Sequence, residues 1–198
     1  IPEGANWKDD ATKKKFGVTA DKKGHITATF GQNYVLIPVE DDIVYAGYVF
    51  KGFYTSDDKY IESSSLVDFE DDIVLTAKYS EHAYTLTIDP NRGEYNNSSA
   101  SSIFEGVIGK EQPLENPIRL GYTFMGWEQS GRGTLASDNS KFTFKDDNCK
   151  LTAKWKENTY TIKFDKNDED ATGSMADQPC TYDVGERLPM LGYSKVGY

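Results

Sequence analysis

Tyr84-Thr85-Leu86-Thr87-Ile88-Asp89 returns as Tyr160-Thr161-Ile162-Lys163-Phe164-Asp165, a shift of 76 residues (160 − 84). In the first copy Tyr84, Leu86 and Ile88 alternate with Thr85, Thr87 and Asp89, the period of a strand with one buried face. The shift recurs outward from this stretch. Gly109-Lys110-Glu111 and Gly185-Glu186-Arg187 are also 76 apart (185 − 109), as are Leu75-Thr76-Ala77-Lys78-Tyr79 and Leu151-Thr152-Ala153-Lys154-Trp155 (151 − 75). Gly47-Tyr48-Val49-Phe50-Lys51-Gly52-Phe53 precedes Gly121-Tyr122-Thr123-Phe124-Met125-Gly126-Trp127 by 74 (121 − 47). A further copy reads Gly192-Tyr193-Ser194-Lys195-Val196-Gly197-Tyr198. Blocks in one order at nearly one spacing define an internal repeat, which decides the architecture before any single motif does.

Each block has a local reading. Leu151, Ala153 and Trp155 alternate with Thr152 and Lys154, a second half-buried strand. Tyr122 and Phe124 share a face, and Gly126 before Trp127 marks a bulge or a close backbone approach. Phe142-Thr143-Phe144, then Asp146-Asp147-Asn148, then the Leu151 strand read as a hairpin, repeated at Val67-Asp68-Phe69 with Asp71-Asp72. Gly131-Arg132-Gly133 reads as another hairpin turn. No segment keeps a helical period; the best candidate is Ser98 to Val107, with Ile103, Phe104 and Val107 on one side. Three frames follow: 1–82, 83–158 and 159–198. The first is either divergent or carries a different small element fused over its initial 25 or so residues. Val18-Thr19-Ala20 and His25-Ile26-Thr27 flank Asp21-Lys22-Lys23-Gly24 there as a hairpin of their own. The third stops before its counterpart of the Leu151 strand.

Composition narrows the class. Tyr, Phe and Trp make up 13% of the 198 residues, and the hydrophobic content of 37% leaves a modest core that aromatics must dominate. The formal net charge of −10 disfavours nucleic acid and anionic lipid, since no basic patch exists to displace condensed counterions. Lys13-Lys14-Lys15, beside Asp9 and Asp10, reads as a solvated tail or turn. No apolar run approaches the roughly 20 residues needed to cross a bilayer, so membrane insertion is not expected. Cys149 and Cys180 are too few for a disulfide scaffold or a zinc site, and read as two unrelated small residues.

These blocks resemble the Listeria–Bacteroides repeat, the family of the internalin B-repeat. The likeness rests on Tyr84 to Asp89, the turn at Arg92-Gly93, Gly121 to Trp127, and Leu151 to Trp155. The second frame carries the whole pattern, the first its later half and the third its earlier half. Lys166-Asn167-Asp168 lacks the expected glycines, and Tyr79 and Tyr198 stand where Trp is usual. The resemblance implies an α+β, mostly β fold of tandem, small β-grasp-like modules, each a small sheet packed on a short helix or loop. It also implies a place on bacterial surface or secreted proteins, as stalk or adhesin segments.

Catalytic, cofactor and metal sites are not expected. His25 and His82 have no metal-type partner close by in sequence, and Ser194 lacks the closing glycine of a nucleophile elbow. The pairs Asp9-Asp10, Asp41-Asp42, Asp57-Asp58, Asp71-Asp72 and Asp146-Asp147 lack the ligand spacing of a calcium loop and read as turn chemistry. Trp127 and Trp155 occupy strand positions that define the repeat, which makes them core residues before they make a sugar-stacking platform. The expectation is a non-catalytic stalk or adhesin segment of an extracellular protein, its signal and anchor outside these residues. Its partner would be a host or cell-surface protein or a glycan. The rival readings are a carbohydrate- or mucin-binding module and accessory repeats of a large secreted enzyme.

Overall fold

The computed structural model describes residues 5–18, 24, 28–33, 38–39 and 42–197. Among the described residues the protein is mostly β, with 46% strand and 4% helix in several small sheets. It divides into two compact units, Ile1–Tyr84 with Glu105–Lys110 and Phe144–Asp146, and Thr85–Phe104 with Glu111–Thr143 and Asp147–Tyr198.

In the first unit, β1 (Asn6–Trp7) pairs antiparallel with β2 (Ile43–Val44), and α1 (Asp10–Lys15) lies between them in sequence. The Asp9 carboxylate caps α1 by accepting the Thr12 N–H at 2.7 Å, which holds Asp9 below the usual carboxylate range. Asp10 in the first turn and Lys13, Lys14 and Lys15 in the last suit the helix dipole. The triple lysine read as a tail or turn is therefore the end of a helix. Six residues are too few to show an apolar period, so only the cap and the charge order signalled it. β3 (Tyr48–Tyr54) lies between β4 (Tyr60–Ile61) and β5 (Thr76–Glu81), antiparallel to both. The register shifts between Phe50 and Gly52, and Gly52 takes φ 115°, a conformation open to glycine. Trp7, Phe16, Ile43 and Phe53 form the core, with Trp7 and Phe16 stacked at 5.4 Å. Asp71 and Asp72 sit in an irregular connection rather than a hairpin turn. The expected hairpin around Asp21–Gly24 lies almost wholly outside the described residues.

The second unit is built on β6 (Tyr84–Asp89), β7 (Ser102–Gly106), β8 (Glu111–Pro113), β9 (Tyr122–Leu135) and β10 (Lys141–Glu157). They form one sheet in the order β7-β6-β10-β8, with β9 also on β10. β10 runs parallel to β6, Cys149 facing Leu86 and Leu151 facing Ile88. Its first residues run antiparallel to β8, with Phe142 facing Gln112. Leu86, Ile88, Phe142 and Leu151 are fully buried, as their alternation requires. The remaining strands, β11 (Thr159–Ile162), β12 (Thr172–Gly173), β13 (Gln178–Thr181) and β14 (Tyr193–Ser194), make two antiparallel pairs, β11 with β13 and β12 with β14.

Three expectations fail in this unit. The helix proposed over Ser98–Val107 is β7: Ser102 and Phe104 turn inward while Ile103 and Glu105 are exposed, the alternation of a strand, and β6 satisfies its backbone. The turn proposed at Asp146-Asp147-Asn148 is a through-running part of β10. Those polar residues mark where β10 leaves β8 and takes up β6, and the Asn148 side chain accepts the Thr85 N–H at 2.8 Å. The turn proposed at Gly131-Arg132-Gly133 lies inside β9. There a Cβ on Gly133 would overlap the Phe142 ring, and one on Gly131 would overlap the Asn148 carbonyl. The chain turns instead at Ala136–Ser140, where Asn139 takes φ 60° and its N–H donates to the Ala136 carbonyl.

Candidate functional site: the seams between successive repeats

Within each unit there is a place where one sequence frame gives way to the next, and the two places are built alike. In the second unit the chain enters β9 through a turn closed by the Tyr122 N–H and the Arg119 carbonyl, 3.1 Å apart. Gly121 takes φ 78° in that turn, the third position of a type II turn, which demands glycine. Its carbonyl accepts the Asn158 N–H at 2.9 Å, just after β10 ends. The Asn158 carbonyl accepts the Tyr182 N–H, also at 2.9 Å, just after β13. The Tyr182 ring lies where a Cβ on Gly121 would be and meets Tyr122 edge-on at 5.7 Å. The Tyr122 hydroxyl donates to Asp183 at 3.1 Å, and the Arg119 guanidinium stacks 3.6 Å from the Tyr122 ring centre. Burial and the Asp183 carboxylate both push the Tyr122 phenol up. The Thr123 hydroxyl to Asn158, 2.6 Å, completes the clamp.

The seam in the first unit repeats this plan with other side chains. The Tyr48 N–H donates to the Tyr45 carbonyl at 3.0 Å, and Gly47 takes φ 81°. The Gly47 carbonyl accepts the His82 N–H at 2.8 Å. Ile108 fills the glycine's space, its Cδ1 2.6 Å from where a Cβ would stand. Tyr45 stacks on Tyr48 at 4.2 Å, as Arg119 stacks on Tyr122. Both seams thus share a positive-φ glycine, a main-chain clamp, a flat group over the Tyr, and a side chain from the following frame seated on the glycine. Gly47 and Gly121 stood out in the sequence. The seated residues Ile108 and Tyr182 and the clamping residues His82 and Asn158 did not, because their pairs share spacing but not chemistry.

The residues weighed as chemical candidates fall elsewhere. Trp127 is 6% exposed and packed edge-on against Tyr95 and Phe124. The Trp155 indole N–H donates to the Pro90 carbonyl at 3.1 Å, and its ring closes on Gly93, 2.5 Å from where a Cβ would stand. Trp127 is buried, and Trp155 is partly covered. Tyr122 belongs to the seam. His82 packs on Tyr84 at 4.6 Å; His25 and Asp41 lie outside the described residues. Ser194 pairs across to Thr172. Asp42 accepts the Val39 N–H at 3.1 Å, and Asp57 takes the Thr55 hydroxyl in a tight turn. Cys149 and Cys180 are free thiols, and burial pushes the Cys149 thiol up to about 11. Among the described residues no three His, Cys, Asp or Glu side chains converge as metal ligands, and no helix is long and apolar enough to cross a membrane.

A mostly β segment whose successive sequence frames meet at like seams belongs to the class of tandem repeat proteins. Residues 118–159 match the family model of the divergent InlB B-repeat domain. The match takes in Gly121, β9, β10 and Asn158, and stops short of Tyr182 and Asp183 on the other side of the second seam. Two relatives come from the bacterium Evansella cellulosilytica. One, named as a candidate membrane protein, is 29% identical over 66% of this chain and 21% of its own length. The other, named as a candidate Gly-rich membrane protein, is 32% identical over 69% of this chain and 16% of its own. The chain thus spans about a fifth or less of each. No solved structure gives a significant match.

Proposed function

We propose that this chain is a non-catalytic spacer segment, a stalk or adhesin part, of a bacterial cell-surface or secreted protein. Its frames are coupled through the glycine seams so that a distal domain is held at a set distance and orientation. The observation that carries this reading is that the same seam is made twice, at Gly47 and at Gly121, with different seated side chains. A frame that needed only to fold would have no reason to keep a positive-φ glycine under a neighbour's side chain; a frame that must hold the next one does. The match of residues 118–159 to the divergent InlB B-repeat domain and relatives several times longer than this chain support a part-of-a-whole role.

The test is backbone ¹⁵N relaxation on the 198-residue chain and its Gly121→Val variant. In the unaltered protein, residues of β9 and of β13 should report one rotational correlation time. In the variant, with β6 and β10 chemical shifts retained, they should report two. Independent tumbling in the unaltered protein would sink the spacer reading.

A further inference from the structure

β9 keeps one bare edge inside the frame that carries the whole repeat pattern. Among the described residues its 14 residues pair with β10 alone. Its counterpart β3 has β4 on the side away from β5, with Phe53 facing Ile61 and Tyr54 facing Tyr60. Among the described residues no such strand lies on β9. Glu128 to Arg132 are exposed throughout, and Ser130, Gly131 and Gly133 leave the main chain easy to approach. A long bare edge is a row of donors and acceptors ready to take another strand, and chains that stay single cover it or spoil its shape.

One side chain spoils this edge. The Gln129 amide nitrogen donates to the Gly133 carbonyl at 3.0 Å and to the Gly131 carbonyl at 3.3 Å. One nitrogen that close to both draws the two oxygens nearer than the roughly 6.7 Å separating such carbonyls in a straight strand. Gly131, at φ 86°, supplies the bend. An exposed amide is satisfied as well by water, so the contact adds little stability. What it changes is the shape of the edge. The charges around it suit one partner. Antiparallel pairing of two β9 edges about Ser130 sets Glu128 of each copy opposite Arg132 of the other, two opposite-charge pairs related by two-fold symmetry. Arg132, with Asp147 of β10 3.9 Å away, keeps 66% of its side chain exposed. Parallel pairing in register would face Glu128 with Glu128.

We infer that the outer edge of β9, from Glu128 to Thr134, is a pairing surface for the same edge of a second copy, antiparallel about Ser130, and that Gln129 is the latch that keeps it closed. With the Gln129 amide on the Gly131 and Gly133 carbonyls the chain stays single. When the amide lets go, the edge straightens, and two copies join through main-chain hydrogen bonds while the charge pairs fix the register. This inference is independent of the spacer reading, since β9 keeps its outer edge whether or not the seams hold the frames together.

The experiment compares the 198-residue chain with its Gln129→Thr variant, whose shorter side chain cannot reach the two carbonyls, by sedimentation and amide hydrogen exchange. The unaltered chain should remain monomeric at concentrations up to about 100 μM, where the variant dimerises. Exchange of the amides from Gln129 to Thr134 should then slow at least about tenfold in the dimer. Adding Glu128→Arg to Gln129→Thr should return it to monomer, and adding Arg132→Glu as well should restore the dimer. Retained chemical shifts of β6 and β10 show in each case that the fold is intact, and all three substituted side chains are exposed. A folded Gln129→Thr variant that stays monomeric would overturn the inference. So would association that leaves the amides of this edge unprotected or ignores the charge reversal. An unaltered chain that already dimerises through β9 would overturn the latch.

Discussion

β6 and β11 carry nearly the same alternation, yet one is a central strand with a dry face and the other an edge strand with a half-wet one. The difference lies in β10, which covers the first and not the second. Burial in a small β repeat is therefore a property of the strand pair. A single strand's sequence states which face is apolar, and its neighbour decides how far that face is dried. The same comparison separates seam from core. Gly121 and Gly109 have nearly equal φ, 78° and 85°, but Tyr182 lies on the first and nothing within 4 Å of the second.

The largest expected effect tests the covered strand against the uncovered one. Leu151→Ala removes a fully buried side chain facing Ile88 and should cost about 2–5 kcal/mol by urea unfolding, whereas Ile162→Ala should cost about 1 kcal/mol. Equal losses would show that β11 is as well covered as β6. Next, Gly121→Ala should cost about 1 kcal/mol for the left-handed backbone plus a further amount for displacing the Tyr182 ring. Gly109→Ala should show the backbone part alone. If the two variants melt together, the seam contact contributes nothing.

The two thiols offer a smaller contrast. At pH 8 a thiol reagent should modify the part-exposed Cys180 readily and the buried Cys149 only on unfolding. The Cys149 thiol is raised to about 11 in the fold from an ordinary value near 9.0. The unfolded chain thus loses its proton first, and stability should fall as pH rises from about 9 to 11. A Cys149→Ser variant should lack that decline. Smallest is the ion pair. Hydrogen bonding to Lys150 holds Asp89 below the usual carboxylate range. Its contribution is present above that range and fades as pH falls through the lowered value. Asp89→Asn should therefore cost less than about 1 kcal/mol at pH 7 and flatten part of the acid limb of the stability curve. An equally large effect from Asp165→Asn would mean that Asp165 already has a partner.

Much of the fold was legible in the sequence because period and spacing are short-range signals. Tyr84–Asp89 and Leu151–Trp155 are strands where alternation placed them, and Tyr48–Phe53 and Thr76–Tyr79 are strands like the blocks that the repeat spacing matches them to. The failures came where a residue's role depends on a distant partner. Asp146-Asp147-Asn148 has the composition of a turn, but β8 and β6 hold it extended. Gly131 and Gly133 look like turn residues and are instead the gaps that let β9 lie against Asn148 and Phe142. At Ser98–Val107 a ten-residue apolar scatter fits helix and strand alike, and only pairing with β6 separates them. Of the seams, the glycines were visible as repeated letters. The residues seated on them were not, because Ile108 and Tyr182 share a location and no chemistry.

The parallel pairing of β6 with β10 also bears on what happens when the chain is pulled. β6 opens the second frame and β10 closes it, so tension entering at Thr85 and leaving at Glu157 drags two adjacent strands along their length in opposite directions. The rungs from Cys149–Leu86 to Thr152–Asp89 then carry the load together instead of parting one after another, as they would in a hairpin pulled from its open end. Such an arrangement yields abruptly at high force and, below it, hardly lengthens at all.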